Sequence, residues 1–197
     1  MSFRLPFANF SARATRQRAH QSARALYQVI VAQARQPGFY LDLGVPDSLD
    51  GRFDLVVLHA HLTMRALGRP GSPAVRDNPE EARAVSQALF DLMFADMDQN
   101  LREMGVTDSG VSKRVKQMAQ AFYGRVVAYD TGLAQEEDDS VLIAALRRNL
   151  FGSVAEPHPA ALSALAGYLR HHDRLFAEAE GLAAGEIAFE PPPVVLS

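Results

Sequence analysis

The groups through which this chain could do proton, metal or phosphate chemistry are six histidines, 23 carboxylates and 20 basic residues, with no cysteine among them. Without cysteine there is no thiolate catalysis, no disulfide and no cysteine-ligated metal or iron–sulfur cluster. His59 and His61 stand two apart in a helical pattern, so their side chains point about 200° from each other and cannot share one ion. His171 and His172 are adjacent and no better placed. No H-E-x-x-H pattern joins them, so neither a metal nor a cofactor is expected. His59 shares an apolar face with Leu55 and Leu62, which predicts an interior histidine with its hydrogen bonds satisfied. No G-x-S-x-G and no glycine-rich phosphate loop occurs. The chain reads as a non-enzyme that works by binding. DNA is not an expected partner, because the aromatic residues do not interleave with a basic face.

The elements that must position these groups are helical. Apolar residues recur with a period near 3.6 almost throughout, and no segment alternates like a strand. The spacing predicts a helix from Ser11 to Arg35, stopped by Pro37-Gly38, and a second from Arg52 to Leu67. Gly68–Asn78 reads as a loop. Asn78 then caps a third helix, with Pro79 at its first position and Glu80 and Glu81 beside its positive end. That helix reaches Met104, with Gly105 as its C-terminal cap. A fourth runs from Gly110 to Asp130, a fifth ends near Phe151 and a sixth spans Ala160–Glu180. The sum is an all-α fold: a single compact bundle of about six helices over residues 13–182. A basic, flexible N-terminal arm (residues 1–12) precedes it, and an extended, weakly ordered tail (residues 183–197) follows.

Charge is unevenly placed. The net charge is −3, yet no acid precedes Asp42, while Arg4, Arg13, Arg16, Arg18, Arg24 and Arg35 are basic. Phe3, Phe7 and Phe10, flanked by Arg4 and Arg13, read as a membrane-surface anchor. No apolar run approaches the ~20 residues that span a bilayer. Arginine outnumbers lysine by eighteen to two, a bias of high-GC bacterial coding. The expected place is the cytoplasm, peripheral on the inner membrane (the mitochondrial matrix if the source is eukaryotic).

Two predicted helices break the rules of a passive bundle. In the third, Ala82, Val85, Leu89, Met93, Met97 and Met104 form an apolar stripe, widened by Phe90, Phe94 and Leu101. Asp96 and Asn100 fall inside that arc, where an unpaired polar group costs several kcal/mol, so a neighbour or a partner must satisfy them. Asp91 and Asp98 share the polar face, and Asp98 with Arg102 makes an (i, i+4) pair. In the fourth, Lys113, Arg114 and Lys116 crowd the N-terminal turns, where the helix dipole disfavours cations. They read either as partners of the preceding aspartates or as a basic docking patch. Gly124 interrupts the same helix at a cost of ~1 kcal/mol against alanine, which close approach of a partner backbone would explain.

The run Leu89–Arg125, LFDLMFADMDQNLREMGVTDSGVSKRVKQMAQAFYGR, resembles the ubiquinol–cytochrome c chaperone family. FDLVVLHAHLTMRAL (Phe53–Leu67, including Arg65) and ALYQVIVAQARQPGFY extend the resemblance over roughly residues 20–150. The D-x-D-x-x-L-R-E-x-G-V core and the K-x-x-K that follows are its specific features. Thr107 departs from it, standing where a second glycine is expected, which puts the conformation of that loop in question. The resemblance implies a non-enzymatic assembly factor for the cytochrome bc complex that binds newly made cytochrome b near ribosome exit or membrane. A second small assembly factor is a further partner it implies. The partner-binding residues it points to are Asp91, Phe94, Asp96, Asp98, Asn100, Arg102, Lys113, Arg114, Lys116, Tyr123, Gly124 and Arg125. The competing reading is a helical carrier of a hydrophobic small ligand such as a quinone or lipid, which would need a closed apolar cavity of a few hundred Å³.

Overall fold

The computed structural model describes residues 7–195, with side chains from residue 13 onward. Among these residues the chain is all-α. The helices are α1 (Phe7–Ala34), α2 (Pro37–Leu41), α3 (Leu49–Gly68), α4 (Pro73–Asp77), α5 (Pro79–Glu103), α6 (Asp108–Leu133), α7 (Ser140–Leu150) and α8 (Pro159–Ala177), followed by a 3-10 turn, Leu182–Ala184.

The bundle is organised around α3. Its sequence is apolar on all sides, the pattern of a helix with neighbours all round, and fourteen of its twenty residues are buried. It packs against α1, α4, α5, α6, α7 and α8. Ser48 caps it by accepting from Gly51 N at 3.1 Å. Gly51 is required there, because a Cβ would stand 2.1 Å from the Pro46 carbonyl oxygen. Burying α3 buries its polar residues too. The His59 ring joins Leu55 O (2.7 Å) and the Tyr168 hydroxyl (3.1 Å), and the Thr63 hydroxyl donates to His59 O at 2.9 Å. Gln33 donates to the Tyr168 hydroxyl, which leaves that hydroxyl's own proton for His59 Nε2 and places the imidazole proton on Nδ1. His59 is the satisfied interior histidine that the sequence suggested.

The signals around α5 act as read. Asn78 accepts from Glu81 N at 3.1 Å, with Pro79 at the first position. At the other end Gly105 takes φ +81° while Val106 N donates to Leu101 O, a left-handed cap. Thr107 sits at φ −64°, ψ 155°, ordinary extended backbone, so the sharp turn falls on Gly105 and the departure at Thr107 costs nothing. Where α6 crosses α7, a Cβ on Gly132 would lie 2.7 Å from Leu142 Cα. Gly132 therefore lies inside α6, which ends at Leu133 and not at Asp130. Arg170 of α8 reaches across, pairs with Asp139 and donates to the carbonyls of Gln135, Gly132, Asp138 and Leu133. Arg170 thus ties down the last turn of α6 (Gly132, Leu133) and the connection to α7 (Gln135, Asp138) together.

The structure differs from the sequence reading at further points. The first helix does end before Pro37, at Ala34, but Pro37 also opens a short helix, α2, not expected from the spacing. The expected loop 68–78 contains α4, capped by Ser72. Met104 leaves the apolar stripe of α5 and is exposed. α1 starts at Phe7, inside the expected arm; Phe3 and Arg4 lie outside the described residues. The C-terminal segment is extended but packed. Phe189 lies 4.9 Å from the His59 ring and 5.0 Å from Phe176, Glu190 N donates to His172 Nε2, and Gln33 donates to Glu190 O.

Burial holds the imidazoles of His59 and His61 down to about 4 and lowers His172 as well. A histidine depressed on folding takes up its proton more readily when unfolded, so its contribution is lost as pH falls from 6.5 toward 4, by about 2–3 kcal/mol each for His59 and His61. Asp54, whose carboxyl burial raises to about 7 against the pull of Arg125, acts in the opposite sense and offsets one of the two. The thermal midpoint should therefore fall between pH 6.5 and 4, and His59→Gln should flatten the profile while Asp54→Asn steepens it. Calorimetry across that range checks both slopes.

Candidate functional site

α5 and α6 pack side by side and carry an aromatic cluster between them. Phe90 and Phe94, one turn apart, have ring centroids 4.7 Å from each other, and Phe122 lies 5.3 Å from Phe90. Tyr123 closes the set, 5.9 Å from Phe90 and 5.6 Å from Phe122. Phe122 is buried, Phe90 and Phe94 are half-buried, and Tyr123 is 59% exposed. One turn on, Val127 is 66% exposed. Between them Gly124 faces open space, with no atom within 4 Å of where a Cβ would stand.

Tyr123 and Val127 belong to a stripe along the outer side of α6. Helical spacing runs it from Lys113 and Lys116 through Gln117 and Gln120 to Tyr123, Gly124 and Val127, all exposed. Lys113, Arg114 and Lys116 hold no ion pair within 4.0 Å among the described residues. Pairing with the aspartates of the preceding helix, one of the two sequence expectations, is not what forms. Those aspartates have other partners: Arg102 reaches Asp98 at 2.6 Å, Tyr27 donates to Asp96 and Gln87 to Asp91, while Arg102 also pairs with Asp108 at the start of α6. The cations thus stay free at one end of a stripe whose other end is apolar.

Beside the aromatic cluster, a cleft of about 440 Å³ opens between the C-terminal half of α3 and α6. Met64, Pro70, Phe122, Tyr123 and Val126 line its walls; His61, Arg65, Arg69 and Asp130 contribute the polar groups. Those charges are paired. Arg65 Nη1 donates to Asp130 Oδ1 and Arg65 Nε to Asp173 Oδ1 at 2.8 Å, while Arg69 Nη2 reaches both Asp173 oxygens at 2.7 Å. The two acidic neighbours raise Arg65 further against the opposing effect of burial. A second cleft of about 320 Å³ lies between α1, α3 and α5, with Val31, Phe53, Val56 and Met97 in its lining. Both clefts are open to solvent, unlike the closed chamber a ligand carrier would need.

The sequence-predicted residues do not form one patch. Phe94 and Tyr123 meet through Phe90 and Phe122. Asp98, Arg102 and Asp108 cluster near the α5–α6 turn. Asp96 and Asn100 face the other way, onto the second cleft. There Tyr27 donates to Asp96 Oδ2 at 2.8 Å and Asn100 Nδ2 to the same oxygen at 3.1 Å, so a neighbouring tyrosine satisfies Asp96, and Asn100, itself exposed, bonds Asp96 on its own helix. Asp91 is exposed and accepts from Gln87. Arg125 turns inward: its Nη2 lies 2.6 Å from the buried Asp54 carboxylate, with its guanidinium 5.7 Å above the Phe53 ring. Arg13 is exposed on α1. Sequence reasoning missed Arg69, Asp130 and Asp173, because each is unremarkable on its own helix and acquires meaning only across helices.

Removing one member of a buried ion pair leaves the other charge uncompensated, at a cost of about 3–5 kcal/mol. Arg125→Leu should therefore destabilise the protein, by less than that full amount near neutral pH because the buried Asp54 carboxyl, already raised to about 7, takes up a proton once Arg125 is gone. Arg125→Leu combined with Asp54→Leu should recover most of the loss, since a well-packed apolar pair often replaces an ionic one without penalty. Urea denaturation of the two single variants and the double variant measures the coupling.

Residues 41–189 match the family described as Ubiquinol-cytochrome C chaperone. The chain is 24% identical over 173 residues to the ubiquinol-cytochrome-c reductase complex assembly factor 1 of Xenopus laevis, covering 86% of this chain and 81% of that protein. Identity to the Mus musculus and Homo sapiens proteins of the same name is 25% over 173 residues, and the chain spans about half of their length, 55% and 54%. The crystal structure of the Cbp3 homolog from Brucella abortus superposes with a TM-score of 0.76 at 34% identity, covering 94% of this chain and 97% of that one. The match extends across α3, α5 and α6, the helices that build the aromatic cluster and the cleft, and on it the chain belongs to the ubiquinol-cytochrome c chaperone family.

Proposed function

We propose that this protein is a non-enzymatic assembly chaperone of the cytochrome bc complex, and that it binds newly made cytochrome b through the outer face of α6 and the adjoining edge of α5. Family membership supports the complex. The observation that carries the mode of action is the exposure of Tyr123 and Val127 beside the half-buried Phe90 and Phe94. A helix whose only task was to complete a bundle would place polar residues there. Gly124 leaves the centre of the patch low enough for another backbone to approach. Lys113, Arg114 and Lys116, free of ion pairs, give the same face a cationic end that suits an anionic loop flanking an apolar client segment.

Action by this route is stoichiometric. The face covers apolar client surface until haem or partner subunits arrive and then gives it up. Of the residues that the sequence nominated, Phe94, Lys113, Arg114, Lys116, Tyr123 and Gly124 belong to this face in the proposal. Arg125 supports it from beneath, and Asp96 and Asn100 stabilise the packing of α5 on α1. Among the described residues no helix is long and apolar enough to cross a membrane. A peripheral membrane position is supported by α1, on which Arg13, Arg16, Arg18 and Arg24 are exposed, with Arg35 exposed just past its end.

Charge placed in the apolar patch tests the reading. Tyr123→Asp with Val127→Asp should leave the circular dichroism unchanged and cut co-purification of newly made cytochrome b by tenfold or more, roughly the loss of one interface hot spot. Lys113→Glu with Lys116→Glu should weaken capture less, and mostly at low salt. Deleting the gene in its native host should remove the b-type haem band from membrane spectra. A normal band and normal bc-complex activity in the deletion strain would sink the proposal.

A further inference from the structure

Among the polar groups brought in by burying α3, Asp54 Oδ1 and His61 Nε2 have no hydrogen-bond partner; Asp54 Oδ1 has the Arg125 guanidinium 2.6 Å away, whereas the His61 ring has no such close charge partner. His61 is 2% exposed and lines the cleft between α3 and α6. Its Nε2 is itself out of contact with solvent, so a group in the cleft reaches it only when the ring or the side chains over it shift. The nearest acid, Asp130 Oδ1, is 3.4 Å away but off the line of the ring nitrogen, and it already accepts from Arg65. The charged and titratable groups facing His61 are Arg65 on its own helix, Asp130 on α6 and Asp173 on α8, with the Tyr129 ring 5.9 Å away. Burial keeps the imidazole neutral at physiological pH. A neutral ring nitrogen without a partner, at the polar end of an apolar cleft, is a site for one hydrogen bond from whatever fills that cleft.

The surrounding chemistry narrows the occupant. Arg65 and Arg69 are balanced by Asp130 and Asp173, so the polar end is neutral overall. A charged group entering it would have to break a paired network in a partly dehydrated place. The walls are apolar, and Gly68 at the rim, like Gly124 beside Tyr123, has nothing within 4 Å of a would-be Cβ, so a helix backbone can come close to both edges.

On the reading of this face as the client surface, we infer that the cleft selects an apolar client helix carrying one uncharged hydrogen-bonding side chain, a serine or threonine, whose hydroxyl pairs with His61 Nε2. The cleft thereby distinguishes a polar-marked apolar helix from a uniformly apolar one, and the aromatic patch supplies binding common to both.

The test uses the full chain and a host–guest peptide: a lysine-flanked Leu/Ala helix in detergent micelles, with Ser, Thr, Leu, Asp or Lys at its centre. Fluorescence anisotropy should show the Ser and Thr guests binding about tenfold more tightly than Leu, with Asp and Lys weakest. His61→Phe should bind the Leu guest like the unaltered protein and lose the preference for Ser and Thr; if it fails to fold, His61→Gln replaces it and should retain part of the preference. Nitrogen-15 NMR of His61 Nε2 should shift with the Ser guest and not with Leu, a response that packing alone would not give. Equal affinity for all guests, or a preference that survives in His61→Phe, overturns the inference. So does saturation of the His61 signal by 1-octanol without competition from any peptide, which would make the occupant a small neutral amphiphile. Tyr123→Asp separates the two levels. If it abolishes binding of every guest, the client face stands whatever His61 does; if it leaves all binding unchanged, the client face itself fails.

Discussion

Burying α3 on every side sets the terms for everything packed around it. The apolar half of the requirement is easily met, because FDLVVLHAHL supplies side chains that lose water on all faces. The polar half is stricter: Asp54, His59, His61, Thr63 and Arg65 are drawn inward with the helix, and each needs a partner or a reason to lack one. Thr63 is satisfied by its own helix, and His59 by its own helix together with α8. Arg125 of α6 meets Asp54, and Asp130 of α6 and Asp173 of α8 divide Arg65. The tail joins the same account, since Phe189 closes over the His59 ring and Glu190 engages His172 and Gln33. The ordering of the last ten described residues is thus a consequence of polar groups around the central helix.

α6 is held almost wholly from its inner side. Arg125 and Asp130 tie it to α3, the Gly132 contact lets it lie directly on α7, and Arg170 collects the carbonyls at its C-terminal end. With that much fixed from within, its outer face is free of any structural duty. Exposure of Tyr123 and Val127 on a firmly anchored helix differs from exposure on a loosely packed one, because neither side chain has a way to retreat into the core. The patch is therefore preorganised, and a partner covering it has little conformational entropy to remove there.

What the sequence revealed followed the range of the forces involved. The Asn78–Pro79–Glu81 start of α5 and the Gly105 stop depend on residues within one turn of each other, so they could be read directly. The half-apolar patterns of α5 and α6 and the apolar face of α3 through Leu55, His59 and Leu62 were equally open, since burial imprints its period on the chain. The short helices α2 and α4 were not, because five residues carry no periodicity and Pro37 signals an end as readily as a beginning. Asp96 could be recognised as needing a partner, but Tyr27 as that partner could not, being 69 residues away. Arg125 shows the converse: the family resemblance nominated it for partner binding, and only the fold brings Asp54 to it. Ion pairs between helices leave no periodic trace, and that is why the polar end of the cleft stayed hidden while its aromatic wall was in plain view.

The placement of α5 between α1 and α6 bears on how one small domain could serve two surfaces. α1 packs on α5 more extensively than any other pair of helices in the bundle, and α6 packs on α5 as well. Asp96 faces α1 through Tyr27, while Phe94, two residues earlier and about 200° around the helix, faces α6 through Phe122. The exposed arginines of α1 and the apolar stripe of α6 therefore flank α5 from different sides. Cations contacting an anionic surface through α1 would leave Tyr123 and Val127 uncovered, and a segment seated on α6 would leave the arginines in solvent. Screening acts on the whole of the first contact and only on the Lys113–Lys116 end of the second, so under the proposed function attachment would follow ionic strength and capture mainly apolar area. A chaperone that must let go of its client without leaving its post has a use for that separation, and a single mixed patch would not provide it.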